Sequence, residues 1–296
     1  MKKAIILVNA YTQSDTELNQ PNRLKEELQL LGIQTEICRN DFFPAYVAGD
    51  CLATRLEDVD FCVYLDKDPY YSQILEGCGV RLFNCARAVF DCDDKMQTNI
   101  RLAAAGIPVV KTFSSPLCYT QTSAVNEGAL DVLERELSYP IVVKECFGSL
   151  GKGVYLAENR EQLSAYAEKF KLKPHIYQQF IAESAGVDVR VIAIGGEALV
   201  AMKRSSKTSD FRSNIELGGR GELYPLDDEI RALCGKISRT LSLDYCGIDL
   251  LFTKDGYAVC EVNSNAFFGG IEKITGVNVA KAYAEYINQT IYGGGK

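Results

Sequence analysis

The sequence predicts an α/β N-terminal part followed by two α+β lobes, and three observations support this fold class. Up to about Asp93, short runs rich in β-branched residues alternate with helical stretches. Two strand-like runs flank a glycine-rich segment at 141–154, and two further pairs of such runs occupy much of the last third. With 296 residues, the chain is long enough for two or three lobes of roughly 100 to 150 residues.

Composition limits the possible functions. The chain has 39 acidic and 32 basic residues and a net charge of -7, which opposes nonspecific binding to nucleic acid or to anionic membranes. The apolar run at 4–8 is too short for a signal peptide or a membrane span, and eleven scattered cysteines include no C-x-x-C pair. We therefore expect a cytoplasmic protein without a nucleic-acid or membrane partner. The single histidine, His175, excludes metal sites built on several histidines.

Residues 1–93 are predicted to form an open α/β lobe. The apolar run at 4–8 is typical of a buried strand. Pro21 is expected in the first turn of a helix that ends at Gly32, because proline suits a helix start and glycine a left-handed cap. Further strands are expected at 35–38, 61–65 and 81–83, with a helix at 69–76.

A central lobe is predicted over residues 94–181 and a C-terminal lobe over residues 182–296. Asp94 is a suitable N-cap for a helix over 95–105. The other elements expected in the central lobe are strands at 141–144, at 154–156 and around Tyr177, and helices at 123–137 and 160–170. In the C-terminal lobe, Gly195-Gly196 fits a hairpin turn. The elements expected there are strands at 187–194 and 198–203, a helix from 227 to 241, a hairpin over 245–262 and a helix at 278–291.

A glycine-rich segment joins the two strands of the central lobe. Gly148, Gly151 and Gly153 would let backbone N–H groups approach an anion closely, and Lys144 would add positive charge beside them. No helix follows, so the segment is neither a Walker loop nor a dinucleotide-binding fingerprint. If the glycine pattern is considered alone, a plain flexible turn explains it equally well.

Two carboxylates are expected to face each other on the last hairpin. If 254–256 is a three-residue loop with Gly256 in the left-handed conformation, Asp249 lies opposite Glu261, and Asn263 lies on the same face. Such oxygen ligands suit magnesium, which typically binds through one or two carboxylates plus substrate phosphates. An exposed acidic face is the alternative, although an unpaired charge at Asp249 would be costly among its apolar neighbours.

Basic residues lie on and just after the preceding hairpin. Arg190 and Arg204 can face the same side of a sheet, and Arg212 lies on the loop beyond it. Planar guanidinium groups in this position could hold carboxylate or phosphate oxygens, whereas a solvated basic edge is the alternative. Together with the glycine segment and the acidic face, these residues indicate a polyphosphate, its metal and a charged co-substrate.

A series of short motifs occurs in a defined order along the last two thirds of the chain. They are Lys95, P-I-V-V-K at 140–144, G-S-x-G-x-G-V at 148–154, Q-Q-F-I at 178–181, D-V-R at 188–190, D-F-R-S-N at 210–214, G-I-D at 247–249, E-V-N at 261–263 and G-I-E-K-x-T-G at 270–276. This order resembles the ATP-grasp fold and, within it, the RimK-like amino-acid ligases. Residues 1–93 have no clear similarity to the N-terminal region of that family.

The resemblance implies a role for each motif. The residues that would bind ATP are Lys95, Lys144, Gly148, Ser149, Gly151, Gly153, Gln179, Phe180, Ile181 and Asp188. Within this set, residues 179–181 would form the hinge that recognises adenine, and Asp188 would contact the ribose. Mg²⁺, or Mn²⁺ in its place, would be held by Asp249, Glu261 and Asn263. The residues that would act where the γ-phosphate leaves are Arg190, Arg212 and Asn214. Two positions depart from the family pattern, with Gln179 in place of a glutamate and Phe147 in place of an acid.

The activity implied by the resemblance is ATP- and Mg²⁺-dependent carboxylate–amine ligation through an acyl phosphate, with release of ADP and phosphate. The substrates would be an amino acid, with glutamate among the candidates, and a peptide, protein or small-molecule carboxylate. Two alternatives stay open: a noncatalytic ATP-binding regulatory module, and a ligase of D-amino acids or cell-wall precursors on the same fold. A homo-oligomer is compatible with either activity.

Overall fold

The computed structural model describes residues 2–148, 151, 153–208, 210–213 and 218–293. In chain order its strands are β1 (Lys3–Val8), β2 (Gln34–Arg39), β3 (Ala45–Ala48), β4 (Cys51–Thr54), β5 (Phe61–Leu65), β6 (Leu82–Phe83), β7 (Thr112–Ser114), β8 (Ile141–Glu145), β9 (Val154–Ala157), β10 (His175–Gln179), β11 (Val187–Ile194), β12 (Glu197–Ser205), β13 (Arg220–Tyr224), β14 (Tyr245–Thr253) and β15 (Gly256–Asn263). Its α-helices are α1 (Asp15–Leu30), α2 (Pro69–Gly77), α3 (Ala86–Asp93), α4 (Lys95–Ala104), α5 (Glu127–Leu137), α6 (Arg160–Phe170), α7 (Asp228–Leu241), α8 (Gly269–Thr275) and α9 (Val279–Tyr292). Across these described ranges, no helix combines the length and the apolar character needed to cross a membrane.

The N-terminal sheet consists of four parallel strands in the order β2-β1-β5-β6. Helix α1 packs on it through Leu24 and Leu28, which are completely buried. The helix begins at Asp15, where Ser14 and Glu17 form a capping box, so Pro21 lies inside the helix and the prediction that it occupies the first turn is wrong. The capping box satisfies the first backbone N–H groups and so allows the helix to start several residues earlier.

The central sheet is antiparallel, with strand order β7-β10-β8-β9, and helices α5 and α6 cover one of its faces. The predicted start of α4 is confirmed, because Asp94 caps the helix by accepting hydrogen bonds from the backbone at Met96 and Gln97. Strand β10 contains His175, which is buried, as expected for a strand residue rather than an exposed ligand.

The C-terminal sheet has five antiparallel strands in the order β13-β12-β11-β14-β15. Side chains of α7 pack on one face, and α9 packs on the other together with the N-terminal sheet. Each main sheet lies within one of the predicted domains, 1–93, 94–181 and 182–296. Those boundaries stay a prediction, since the N-terminal sheet and the C-terminal sheet share one apolar core.

The two hairpins of the C-terminal sheet determine which side chains meet. Gly195 and Gly196 both have positive φ angles, 59° and 86°, as the predicted primed turn requires. In the second hairpin Thr253 pairs with Gly256, so the turn has two residues and the predicted three-residue loop is wrong. A bulge between positions 249 and 250 shifts the register by one residue, and Asp249 consequently pairs with Glu261 as expected.

Candidate active site

A cleft lies between the central sheet and the C-terminal sheet, and residues of both sheets line it. Many of the residues predicted to bind ATP, hold the metal or act in catalysis line this one cleft. They are Lys95, Lys144, Gly148, Gly151, Gln179, Phe180, Ile181, Asp188, Arg212, Asp249 and Glu261. The two sheets therefore bring together side chains and backbone from motifs that are far apart in sequence.

Three predicted residues lie beside the cleft instead of lining it. Arg190 and Asn263 line an adjoining cavity, which they share with Glu261. Gly153 directly precedes β9 with a φ of +73°, and a Cβ there would lie 3.2 Å from the Glu145 side chain. Two more predicted residues, Ser149 and Asn214, lie outside the described residues.

One end of the cleft is apolar and aromatic. The ring of Phe180, which follows β10, faces the ring of Phe211 edge to face, with centroids 6.4 Å apart. Backbone N–H of Gln179 donates to the carbonyl of Lys111 at 3.0 Å and so fixes the segment that enters the hinge. The aliphatic side chains of the cleft are Val110, Val142, Val154, Ile181, Val187 and Leu251. Such walls can accept a planar base by stacking and burial.

Lys95 is one of the cationic residues that line the cleft. Lys95 is the first residue of α4, and its Nζ donates to the carbonyl of Gly148 at 2.8 Å. The same Nζ lies 3.8 Å from Oε1 of Glu261, while only 11% of the Lys95 side chain is exposed. The largely buried ammonium group of Lys95 therefore lies between Gly148 and Glu261 on β15. In this position it can interact strongly with phosphate oxygens.

Lys144 extends from β8 toward Cys260 on β15, with Nζ 3.5 Å from Sγ. Burial raises the pKa of the Cys260 thiol despite the nearby ammonium group. Sequence reasoning did not identify Cys260 as a cleft residue. Its place follows from the bulge in the second hairpin, which turns it toward the cleft beside Glu261.

Two arginines and two aspartates form a buried ionic network beside the cleft. Asp249 accepts hydrogen bonds from Nε and Nη2 of Arg190, the latter at 2.7 Å, and its Oδ1 lies 3.0 Å from Nη2 of Arg204. Arg204 also donates Nε to Oδ1 of Asp188 at 2.7 Å. Burial acts to raise the pKa of Asp249, but the charges of Arg190 and Arg204 outweigh it and hold the pKa at about 2. The Asp249 carboxyl group therefore stays ionised.

Arg204 is a functional candidate that the site prediction omitted, although its strand was recognised as basic. Its register partner is Asp188, and this pairing depends on an irregularity between Ile192 and Ala193 in β11. A regular hairpin counted from Gly195-Gly196 would place Lys203 opposite Asp188. Because Arg204 engages the Asp188 carboxylate, contact of that carboxylate with a ribose stays a prediction.

Arg212 connects two loops over the cleft. Its Nε and Nη2 donate to the two carboxylate oxygens of Asp210 at 3.0 and 2.7 Å, and its Nη1 donates to the carbonyl of Gly151 at 2.9 Å. The guanidinium group is thus orientated as a bidentate fork, with one further donor directed to the glycine segment. This arrangement holds the guanidinium group in the cleft, paired with Asp210 and 5.9 Å from the ring centroid of Phe211.

Asp249, Glu261 and Asn263 together provide a hard oxygen donor set. Among the residues that the structure describes, no group of three or more His, Cys, Asp or Glu side chains is positioned to hold a metal ion. An ion would therefore need the amide oxygen of Asn263. Asp249 accepts two hydrogen bonds from Arg190 and forms an ion pair with Arg204, and a carboxylate offers about four acceptor positions, so part of its acceptor capacity remains. The donor set fits Mg²⁺.

Comparison with known proteins connects this geometry to a family. A model of the RimK-like ATP-grasp domain matches residues 92–287. The chain is 34% identical over 226 residues to the human N-acetylaspartylglutamate synthase A, a match that covers 76% of this chain and 56% of that protein. It is 34% identical over 217 residues to a probable alpha-L-glutamate ligase of Maridesulfovibrio salexigens, covering 72% of this chain and 69% of that protein.

The fold is also similar to solved structures. The ATP-grasp ligase PsnB, in complex with a phosphomimetic variant of its minimal precursor, Mg and ADP, matches with a TM-score of 0.71 and 19% identity over 97% of this chain and 98% of that chain. The predicted ATP-grasp fold is thereby confirmed. The chain spans slightly more than half the length of the first curated relatives it matches. Since the family model matches most of its residues, the chain belongs to the RimK-like ATP-grasp family.

Proposed function

We propose that the protein is an ATP- and Mg²⁺-dependent ligase that joins the amine of an amino acid to a carboxylate. One observation carries this proposal: residues from each family motif between Lys95 and Glu261 line a single cleft. In the reaction, a carboxylate oxygen would attack the γ-phosphorus of ATP and displace ADP. The amine would then attack the acyl carbon, form the amide, lose its proton and displace phosphate.

The chain's own residues would supply binding and charge neutralisation. Lys95 and Lys144 would hold the phosphates, and the aromatic part of the cleft at Phe180 would receive adenine. Glu261, Asn263 and the remaining acceptor capacity of Asp249 would hold Mg²⁺. The metal would offset the charge on the phosphate oxygens during transfer. Arg212, with its fork already oriented, would stabilise the phosphoryl group in transit.

This chemistry needs no side-chain nucleophile. The only thiol that lines the described part of the cleft is Cys260, and burial raises its pKa, so it is protonated near neutral pH. Rate enhancement would come from positioning the two substrates and from offsetting charge.

Glutamate is the first amino acid to test. The human relative is named as an N-acetylaspartylglutamate synthase and the bacterial relative as a probable glutamate ligase. PsnB is described in complex with its precursor, so peptides belong in the acceptor set beside small carboxylates. Membership of the RimK-like family favours this activity over ligation of D-amino acids.

The deciding experiment measures ADP release with ATP and Mg²⁺ while amino acids are crossed with small carboxylates and peptides. We expect release to require both substrates, and a product whose mass equals their sum less one water. Chelation of the metal should stop the reaction, and Mn²⁺ should restore it at least in part. ATP binding without ADP release for any pair would instead favour the regulatory module.

A further inference from the structure

Asn84 directly follows β6 in the N-terminal lobe, and its side chain contacts the C-terminal sheet. The residue is almost completely buried, with 1% exposed. The family match begins at residue 92, so Asn84 lies outside the matched domain. The N-terminal lobe thus inserts a buried polar side chain into the lobe that carries the proposed metal ligands.

The amide of Asn84 takes the place of a neighbouring strand for Tyr245. The pairing of β14 with β15 ends at Gly247 and Asn263, whereas β14 itself begins at Tyr245. Oδ1 of Asn84 accepts from the backbone N–H of Tyr245 at 3.0 Å, and Nδ2 donates to the carbonyl of Tyr245 at 2.8 Å. An antiparallel strand exchanges the same two hydrogen bonds with a paired residue. The side chain therefore extends the sheet beyond the point where β15 ends.

The same amide holds the residue that follows a proposed metal ligand. Nδ2 of Asn84 also donates to the carbonyl of Ser264 at 2.7 Å, and both donors of the amide are then used on backbone carbonyls. Ser264 directly follows Asn263. The backbone of Asn263 is therefore held by strand pairing with Gly247 and, one residue further on, by Asn84.

A second contact holds the other end of the segment 264–266. The hydroxyl of Tyr245 donates to the carbonyl of Ala266 at 2.7 Å, and the tyrosine is 1% exposed. Its ring stacks on that of Tyr283 with centroids 4.7 Å apart, which restricts the position of the hydroxyl. Two buried side chains therefore determine the path of the chain as it leaves the proposed metal site.

We propose that Asn84 is a positioning residue for the proposed Mg²⁺ site, and that the Tyr245 hydroxyl is the second anchor of the same segment. By fixing the backbone after Asn263, they limit the positions that this ligand can take, so less conformational freedom is lost when the ion binds. The inference rests on the proposed function and deepens it. Metal affinity then depends on the docking of the N-terminal lobe through one side chain.

The test measures metal binding without turnover. Mn²⁺ is titrated into the full chain with a nonhydrolysable ATP analogue, and the enhanced relaxation of water protons reports the Mn²⁺ that is bound to protein. Asn84→Asp keeps the shape and the acceptor Oδ1 but replaces the donor to Ser264 with an oxygen. Arg81→Met is its matched control, because Arg81 pairs with Asp244 at 2.9 Å across the same two lobes. None of its described hydrogen bonds involves residues 264–266.

Tyr245→Phe tests the second anchor with little change in volume. It removes the donor to Ala266 and keeps the ring that stacks on Tyr283. Tyr292→Phe is the matched control, since its hydroxyl donates to Oδ2 of Asp60 at 2.7 Å and so connects α9 to the N-terminal lobe. This pair of variants decides the test if Asn84→Asp does not fold.

We expect Asn84→Asp to weaken Mn²⁺ binding by about ten- to a hundredfold, the usual effect of removing a hydrogen bond behind a metal ligand. Tyr245→Phe should weaken it by roughly three- to tenfold, as for the loss of one neutral hydrogen bond. Both controls should bind Mn²⁺ as the wild type does, even where their unfolding temperature falls equally. The affinity for the analogue in the presence of a chelator should be the same in all variants.

Three results would overturn the inference: the wild type binds no Mn²⁺, folded Asn84→Asp binds it with wild-type affinity, or Arg81→Met loses as much affinity as Asn84→Asp. If Asn84→Asp does not fold, equal Mn²⁺ affinities of Tyr245→Phe and Tyr292→Phe overturn it. Failure of the proposed function has a different signature. If the variants weaken Mn²⁺ binding as expected while no substrate pair yields ADP, the positioning role stands and the ligase proposal falls.

Discussion

Arg190 and Asp249 are register partners across β11 and β14, and Nη2 of the arginine lies 2.7 Å from Oδ2 of the aspartate. Through this contact the guanidinium group of Arg190 pairs with Asp249, which is a proposed metal ligand. Arg190 also lines the cavity that adjoins the nucleotide cleft, together with Glu261 and Asn263. A change at either partner should therefore disturb the proposed metal site.

Glu261→Gln should lower ADP release by on the order of a hundredfold or more, because it removes charge from the proposed metal site with little change in volume. The Glu261 side chain is 28% exposed and the Lys95 ammonium lies 3.8 Å from it, so the unfolding temperature should hardly change. Glu57→Gln, at an exposed position, is the control. Turnover close to wild type in Glu261→Gln would remove this residue from the metal site.

Arg212→Lys should reduce kcat by about a hundredfold, since lysine keeps the charge but loses the fork that holds developing negative charge. ATP affinity should change much less, because the interaction is expected to strengthen in the transition state. Steady-state kinetics and nucleotide titration separate these effects, with the exposed Arg220→Lys as control. A severe loss of ATP affinity with unchanged kcat would instead make Arg212 a nucleotide-binding residue.

His175 should titrate below its usual pKa of 6.5, because burial disfavours the imidazolium. Its Nδ1 lies 2.8 Å from the carbonyl of Lys173, so Nδ1 carries the proton and Nε2 accepts from Tyr177. The unfolded chain then binds more protons, and stability should fall as pH drops from about 7.5 to 5.5. His175 is the only histidine of the chain, so an NMR titration of its single imidazole resonance measures whether its pKa is lowered. A titration midpoint at or above 6.5 would contradict the predicted lowering.

Gly247→Ala should destabilise the fold by about 1–3 kcal/mol, because a Cβ there would lie 2.4 Å from Cβ of Ala266 and 3.3 Å from Nη1 of Arg190. Urea unfolding measures the loss, and displacement of Arg190 should also lower turnover. Gly270→Ala is the matched control, since nothing lies within 4 Å of its Cβ position. Equal stability of the two variants would show that Ala266 and Arg190 move aside freely.

The pairing of Asp249 with Glu261 was predicted correctly, although the turn on which the prediction depended was not. The expected pairing assumed a three-residue turn, whereas the hairpin has a two-residue turn and a bulge. Each of these features shifts the register by one residue, and the two shifts cancel at the site. A local pattern predicts that strands pair, but turn length and bulges are decided by packing against the neighbouring layers.

Local features were predictable because their causes lie within a few residues. The caps at Asp94, Asp227 and Asn278 accept hydrogen bonds from the helices that they precede, and the predicted strands β8, β11, β12, β14 and β15 follow apolar runs. The hairpin formed by β3 and β4, strand β13 and the helices α3 and α8 were not predicted. Each is short, and its stabilising contacts come from distant elements.

The amino-acid pattern alone is therefore enough for the order of the motifs, the family they resemble and many of the residues that line the nucleotide cleft. Three-dimensional packing is needed to show that Arg204 neutralises Asp188 and Asp249, and that Asn9, Asn40 and Asp66 meet at one edge of the N-terminal sheet. These contacts join residues whose proximity depends on strand order and register. Those follow from burying the two shared cores, which no short stretch of sequence encodes.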